Sequence, residues 1–202
     1  MGRQASLMAK TIGVLALQGG YAAHAKVLRR LGADVIEVRL PEHLALCDAL
    51  VLPGGESTTI IRLLQRNLLD TAIIERANAG MPIFGTCAGL ILLSKRIAAG
   101  AECGGQPTLG LLDVAVIRNG FGRQLDSFEA DLKIKGLDAP VRAIFIRAPI
   151  ISEIGPDVDM LTQVDDKVVM VRQGNILAAS FHPELLEDDR IHAYFLDEVV
   201  GD

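Results

Sequence analysis

Short unbroken apolar runs alternate along the first half of the chain with stretches in which apolar residues recur every three or four positions. Ile12–Leu17 (IGVLAL) and Ala49–Leu52 (ALVL) are continuous runs, the mark of strands buried on both faces. Asp34–Arg39 alternates and reads as a strand, and Pro82–Gly85 reads as a fourth short one. Between them, Ala22 to Leu31 carries a helical period and stops at Gly32. Ser57 to Leu69 reads as a helix, a second short helix runs toward Gly80, and Ala88 to Ile97 is helical in character. Strands alternating with helices predict βαβ units and a parallel sheet.

The pattern then changes. Val114–Arg118, Ser127–Lys135, Arg142–Arg147, Met160–Val164, Val168–Arg172 and Ile176–Phe181 are strand-like with little helix between them. Asp165-Asp166 and Gly174-Asn175 read as hairpin turns. Glu187 to Val200 reads as a closing amphipathic helix. The expected architecture is a single α/β domain over residues 11–200. Its central sheet is mostly parallel, with antiparallel strands added in the C-terminal half. Residues 1–10 are set aside as an N-terminal extension, because a second methionine, Met8, stands just before the first strand.

Composition narrows the function. The chain has 202 residues, half of them hydrophobic and 22% charged, which excludes a disordered or low-complexity chain. One domain of this length buries a sizeable core without disulfide or metal staples. The net charge is −5, there is no tryptophan and aromatics make up 4%, so nucleic acid is not the expected partner. No apolar run approaches the ~20 residues of a membrane span, and the first ten residues hold no apolar signal-peptide core. Cys47, Cys87 and Cys103 form an odd, widely spaced set without Cys-x-x-Cys. They suggest neither a disulfide framework nor a zinc site, and no metal is expected; a reducing, cytoplasmic setting is.

Three stretches carry candidate chemistry. Gly85-Thr86-Cys87-Ala88-Gly89 lies between a strand and a helix, where small residues permit the sharp turn of a nucleophile elbow. The helix N-terminus behind Cys87 favours a thiolate, and the Ala88 N–H points toward an oxyanion formed there. A buried cysteine at a tight turn is the plain alternative. Ser180-Phe181-His182-Pro183-Glu184 places a histidine at a strand end with a carboxylate two residues on. His182 can act as base to Cys87 while Glu184 holds its tautomer; a surface histidine beside a solvated glutamate is the alternative. Pro53-Gly54-Gly55-Glu56-Ser57-Thr58 frees backbone N–H groups toward a ligand. It lacks the lysine of a P-loop and reads as an oxyanion loop. His24, His43 and His192 read as surface or partly packed histidines, Cys47 and Cys103 as packing or loop residues, and Glu187-Asp188-Asp189 as the first turn of a helix.

These residues resemble the triad-type (class I) glutamine amidotransferases, with their flavodoxin-like three-layer fold. Within that group the chain is similar to the glutaminase subunits of pyridoxal 5′-phosphate synthase, from about Thr11 to Val200. The segments that carry the likeness are Leu15–Gly19, Leu52–Thr59, Phe84–Leu90, Arg118–Asp131, Phe145–Pro149 and Ser180–Glu184. The Cys elbow and His-x-Glu are shared widely among amidotransferases, whereas the segments around 52–59 and 118–131 are far more specific to this subunit. Two positions depart from the pattern: Ala23 where relatives commonly hold an acidic residue, and Gly120 where many carry serine.

The resemblance implies that Cys87 is the nucleophile and that His182 and Glu184 complete a triad. It implies an oxyanion site at Gly55 and Ala88, and a glutamine site lined by Gly55, Glu56, Ser57, Arg118, Ile146 and Arg147. The implied reaction is L-glutamine plus water to L-glutamate plus ammonia, with no cofactor. The ammonia is passed to a separate synthase subunit that builds pyridoxal 5′-phosphate (vitamin B6), in a hetero-oligomeric complex. Three rivals remain at this point: a glutaminase serving another pathway, such as histidine or anthranilate synthesis; a cysteine peptidase or deglycase-type hydrolase; and a binding subunit without activity. The second usually has histidine directly after the elbow cysteine, and here Ala88 follows.

Overall fold

The protein is described by a computed structural model covering residues 10–98, 105–121 and 127–201. The first half folds as β1 (Thr11–Leu15), α1 (Tyr21–Arg30), β2 (Asp34–Val38), α2 (Pro41–Leu44), β3 (Ala49–Leu52), α3 (Ser57–Arg66), α4 (Leu69–Asn78), β4 (Ile83–Thr86) and α5 (Ala88–Leu93). Then come β5 (Ser94–Ile97), β6 (Leu112–Ile117), β7 (Ser127–Leu132), β8 (Val141–Ile146), β9 (Ile150–Ile154), β10 (Asp159–Val164), β11 (Lys167–Gln173) and β12 (Ile176–Ala179). The chain closes with α6 (Arg190–Tyr194), which runs on as a wider π-helical turn over Phe195–Val200.

The main sheet runs β2-β1-β3-β4-β12-β11-β9-β6-β5, with β10 on β11. β2, β1, β3, β4 and β12 are mutually parallel, which fits their continuous apolar runs: β3, β4 and β12 are buried at every position. From β12 onward β11, β9 and β6 turn antiparallel. The hairpin β7–β8 forms a second, two-stranded sheet.

Two cores sandwich the main sheet. On one face Ile60, Ile61 and Leu64 of α3, Ile73 of α4 and Leu90 of α5 pack on Leu50, Leu52 and Ile83. On the other, Ala25 and Leu28 of α1, Ile191 and Phe195 of the closing helix, and Ala143 and Phe145 of β8 pack on Ile12, Val14 and Phe84. Each large aliphatic side chain so buried stabilises the fold by roughly 1.5–3 kcal/mol. The expected α/β class, with a mostly parallel sheet extended by antiparallel strands, is what the chain adopts.

Three local expectations are corrected. The helix read over Ala88 to Ile97 ends at Leu93, and Ser94 turns to extended backbone (ψ 149°) to start β5. The edge position of β5 beside β6 overrides the apolar run's helical look. β9, centred on Ile151, has no counterpart among the expected strands, because the Pro149-Ile150-Ile151-Ser152-Glu153 stretch is short and half exposed. The closing helix starts at Arg190 rather than Glu187, because Asp188 and Asp189 are engaged by Arg190 and Arg30 instead of forming a helical turn. Residues 1–9, Cys103 and residues 122–126 of the 118–131 segment lie outside the described residues. Among the described residues no helix is long and apolar enough to cross a membrane.

Candidate active site

The strand order reverses direction between β1 and β3, which opens a crevice at the carboxyl ends of the parallel strands. The three candidate stretches converge there. One cavity of about 450 Å³ is lined by Gly55, Glu56, Ser57, Cys87, Arg118, Ile146, Arg147, His182 and Glu184, among others. Ala88 is not part of its lining but follows Cys87 as the first residue of α5.

Cys87 caps α5 in a backbone conformation that L-residues rarely adopt (φ 48°, ψ −101°). Strain of this kind costs of order 1–3 kcal/mol and persists only where surrounding structure imposes it. Here the Cys87 N–H donates to Ala179 O of β12 at 2.8 Å, which pins the turn to the neighbouring strand. Behind it, a side chain at Gly89 would overlap the Leu52 carbonyl oxygen, so glycine is required for α5 to pack this closely. The geometry is that of a nucleophile elbow, as the sequence suggested. Helix geometry leaves the Ala88 N–H without an intrahelical acceptor, beside the thiol.

β12 delivers His182 to the same point. The His182 N–H donates to Ile144 O at 2.9 Å, and Pro183 opens a 3-10 turn over Pro183–Leu185 that brings Glu184 back under the ring. Nδ1 of His182 lies 2.8 Å from Oε1 of Glu184. Burial disfavours the charged ring, but hydrogen bonds to the Cys87 and Glu184 side chains more than offset it and hold the imidazole up at about 10. Burial also opposes the charge on Glu184, yet the adjoining His24 and His182 keep its carboxyl below the usual range. The loop from β3 completes the wall: a Cβ on Gly54 would sit 2.5 Å from Cε1 of His182 and 3.4 Å from the Cβ of Cys87.

The 53–57 loop is braced against the turn after β1. Gly20 N–H donates to Gly54 O at 3.0 Å, and Glu56 N–H to Oε1 of Gln18 at 2.8 Å. Because the peptide is trans, the Gly55 N–H points away from Gly20. Glu56 caps α3, accepting from Thr58 N at 3.2 Å and Thr59 N at 2.7 Å. Burial acts against its charge, but these bonds win and draw its carboxyl below the ordinary range. Arg118 reaches both Glu56 Oε1 at 3.3 Å and Gln106 Oε1 at 3.2 Å. The buried Ser57 hydroxyl also donates to Gln106, at 3.1 Å. Arg147 follows β8 at a positive φ of 43°, and the carbonyl of Ile146 lies 4.0 Å from Sγ of Cys87.

Sequence reasoning gave Gln18, within the Leu15–Gly19 segment, no part in the glutamine site, and it missed Gln106, which has no local signature. It also misread His24 and His192 as surface or partly packed residues. Both are fully buried. Burial pushes both imidazoles down, that of His192 to about 3. His24 stands one helical turn from Leu28 on the inward stripe of α1, a position that does point to the core. A testable consequence follows from linkage. His192 is neutral when folded and gains a proton on unfolding below about 6.5, so stability falls as pH drops from 6.5 toward 3. At pH 5 this amounts to about 2 kcal/mol. Urea unfolding at pH 7 and pH 5 should show that loss, and His192→Leu should remove about that much of the pH dependence.

A thiol, an imidazole and a carboxylate in sequence, beside backbone N–H donors, suit attack on a carbonyl carbon. The fold is that of the glutamine amidotransferases. A solved structure described as a glutamine amidotransferase superimposes with a TM-score of 0.88 at 47% identity, covering 95% of this chain and 99% of that one. A family model, the SNO glutamine amidotransferase family, matches residues 14–201, and the chain belongs to that family. It is 51% identical over 189 residues to pyridoxal 5′-phosphate synthase subunit PdxT of Carboxydothermus hydrogenoformans, covering 93% of this chain and 97% of that protein. It is 54% identical over 190 residues to the PdxT subunit of Pelotomaculum thermopropionicum, covering 94% and 95%.

Proposed function

We propose that the protein hydrolyses L-glutamine to L-glutamate and ammonia as the glutaminase subunit of a pyridoxal 5′-phosphate synthase. The meeting of Cys87 with the hydrogen-bonded pair His182–Glu184, on one cavity with Arg118 and Arg147, carries the chemical reading. The PdxT relatives supply the identity of the synthase. The Cys87 thiolate attacks the side-chain amide carbon of glutamine. The oxyanion is held by the N–H groups of Ala88 and Gly55. His182 gives its proton to the leaving ammonia and then takes one from the water that hydrolyses the γ-glutamyl thioester. Glu184 orients His182 and balances its charge. Gly55, Glu56, Ser57 and Ile146 line the glutamine pocket, and the two arginines attract the α-carboxylate. A cytoplasmic, reducing setting belongs to this proposal, since the nucleophile must remain a thiol.

The partner synthase is expected to switch the glutaminase on. Gly54-Gly55 can reorient its peptide at low cost, since no Cβ restricts φ. The orientation seen here is tied by Gly20 N–H to Gly54 O, and the neighbouring Gln18 holds Glu56. A partner that docks on the turn at 18–20 therefore acts on the oxyanion loop directly. A bias of ~3 kcal/mol changes the ratio of the two loop states more than a hundredfold. Glutamine hydrolysis measured with and without saturating synthase tests both points. Activity that rises steeply with the synthase is expected. Equal kcat and KM in both conditions would rule out the switch, and no hydrolysis in either would overturn the function.

A further inference from the structure

The carboxylate of Glu184 has two oxygens, and the reaction as derived uses one. Oε1 meets Nδ1 of His182. Oε2 is buried, with no in-line hydrogen bond from any described group. The polar atom that faces it is Nε2 of His24, at 3.3 Å, with both side chains almost completely buried. Nε2 of His24 is shared with the Thr86 hydroxyl at 3.1 Å, and Nδ1 of His24 lies 2.9 Å from Nε2 of His192. Thr86 directly precedes the elbow cysteine, so this cluster reaches the nucleophile and the carboxylate together.

We propose that His24 is a positioning residue for glutamine hydrolysis: its Nε2–H, shared between the Thr86 hydroxyl and the second oxygen of Glu184, holds the carboxylate between two imidazoles. The inference rests on the glutaminase reading above.

The tautomers are determined by the surroundings. A buried carboxylate oxygen beside a bare ring nitrogen would set lone pair against lone pair, so Nε2 of His24 carries the proton. Nδ1 of His24 is then an acceptor and takes the Nε2–H of His192. That leaves Nδ1 of His192 as a bare lone pair, and it has no partner among the described residues. An unpaired acceptor is the cheaper orphan, since a buried bare N–H would be costlier. Burial keeps both rings neutral, so His24 offers Glu184 a donor without adding a second positive charge beside His182. The start of α1 lies close by: a Cβ on Gly20 would sit 3.2 Å from Oε1 of Glu184. The positive end of that helix therefore adds to the field that keeps Glu184 ionised.

The clamp fixes the plane of the carboxylate and, through it, the ring of His182. Residues that orient a reacting group through one intermediary typically matter by roughly 10–100-fold in activity. His24→Leu, assayed with saturating synthase, should lower kcat within that range and leave KM within about twofold. His24→Gln carries its Nε2 the same number of bonds from the backbone and should recover most of the loss. Nitrogen-15 NMR of the wild-type chain should show His24 neutral with its proton on Nε2 from pH 6 to pH 8. A wild-type kcat in His24→Leu, or a His24→Gln variant no better than His24→Leu, would overturn the proposal. So would an NMR signature of the Nδ1–H form, which decides the matter even where a variant fails to fold. Absence of hydrolysis by the wild-type complex would instead overturn the glutaminase reading, while the NMR result would still decide the clamp.

Discussion

Cys87→Ala is expected to abolish glutamine hydrolysis by the assembled complex while leaving the fold intact. The thiol is the sole nucleophile in the proposed route, so its loss removes the covalent thioester path outright. Losses of ~10⁴-fold or more follow removal of a nucleophile in comparable triads. Stability should change little or improve. The strained backbone at φ 48° remains, and among the described residues the buried sulfur makes no close hydrogen bond beyond His182. A glutamine-analogue alkylator provides an independent readout. Cys87 lines the cavity together with His182, open to a ligand. Cys47 is 2% exposed, and burial pushes its thiol up to about 11, so it stays protonated and unreactive at neutral pH. Mass spectrometry of the labelled chain should find the adduct on Cys87 and none on Cys47 or Cys103. Retained hydrolysis in Cys87→Ala would require another nucleophile.

How far the site was legible depended on how local its causes are. The elbow could be read because sharp turns demand small residues, and Gly85, Cys87, Ala88 and Gly89 are close together in the chain. His182 and Glu184 could be read because Pro183 makes their spacing stiff. The parallel core was visible in β3 and β12, whose unbroken apolar runs suit strands covered on both faces. What failed was non-local. His24, Thr86 and His192 meet only because α1, β4 and α6 pack together, and no spacing along the chain encodes that. Gln106 lies 49 residues from Ser57, yet its amide oxygen gathers Ser57, Thr58 and Arg118. Glu56 showed the reverse difficulty. Its place in the implied glutamine site did not reveal that its carboxylate is largely engaged as the cap of α3.

His182→Asn is expected to cost on the order of a thousandfold or more in kcat, and Glu184→Gln distinctly less. The difference comes from what each group transfers. His182 moves protons in both half-reactions: to the departing ammonia, then from the attacking water. Asparagine cannot do either. Glu184 transfers nothing. Because the Cys87 and Glu184 side chains hold the His182 ring protonated up to about 10, its Nδ1–H is already in place at neutral pH. A glutamine at 184 can still accept that proton through its amide oxygen, so the ring keeps its orientation. The amide's NH₂ group must then face His24, whose Nε2 lies 3.3 Å from the present Oε2. Two donors would meet there unless His24 and His192 both switch tautomer. The residual loss in Glu184→Gln thus reflects this clash together with the missing negative charge. Removing His24's donor as well, in Glu184→Gln with His24→Leu, should add little to the loss from Glu184→Gln alone, since both changes disable one clamp. Steady-state kinetics on the single and double variants, each with saturating synthase, provides the comparison. If His182→Asn kept near-wild-type turnover, another residue would have to be the base. If the losses in the double variant simply multiplied, His24 and Glu184 would be acting independently.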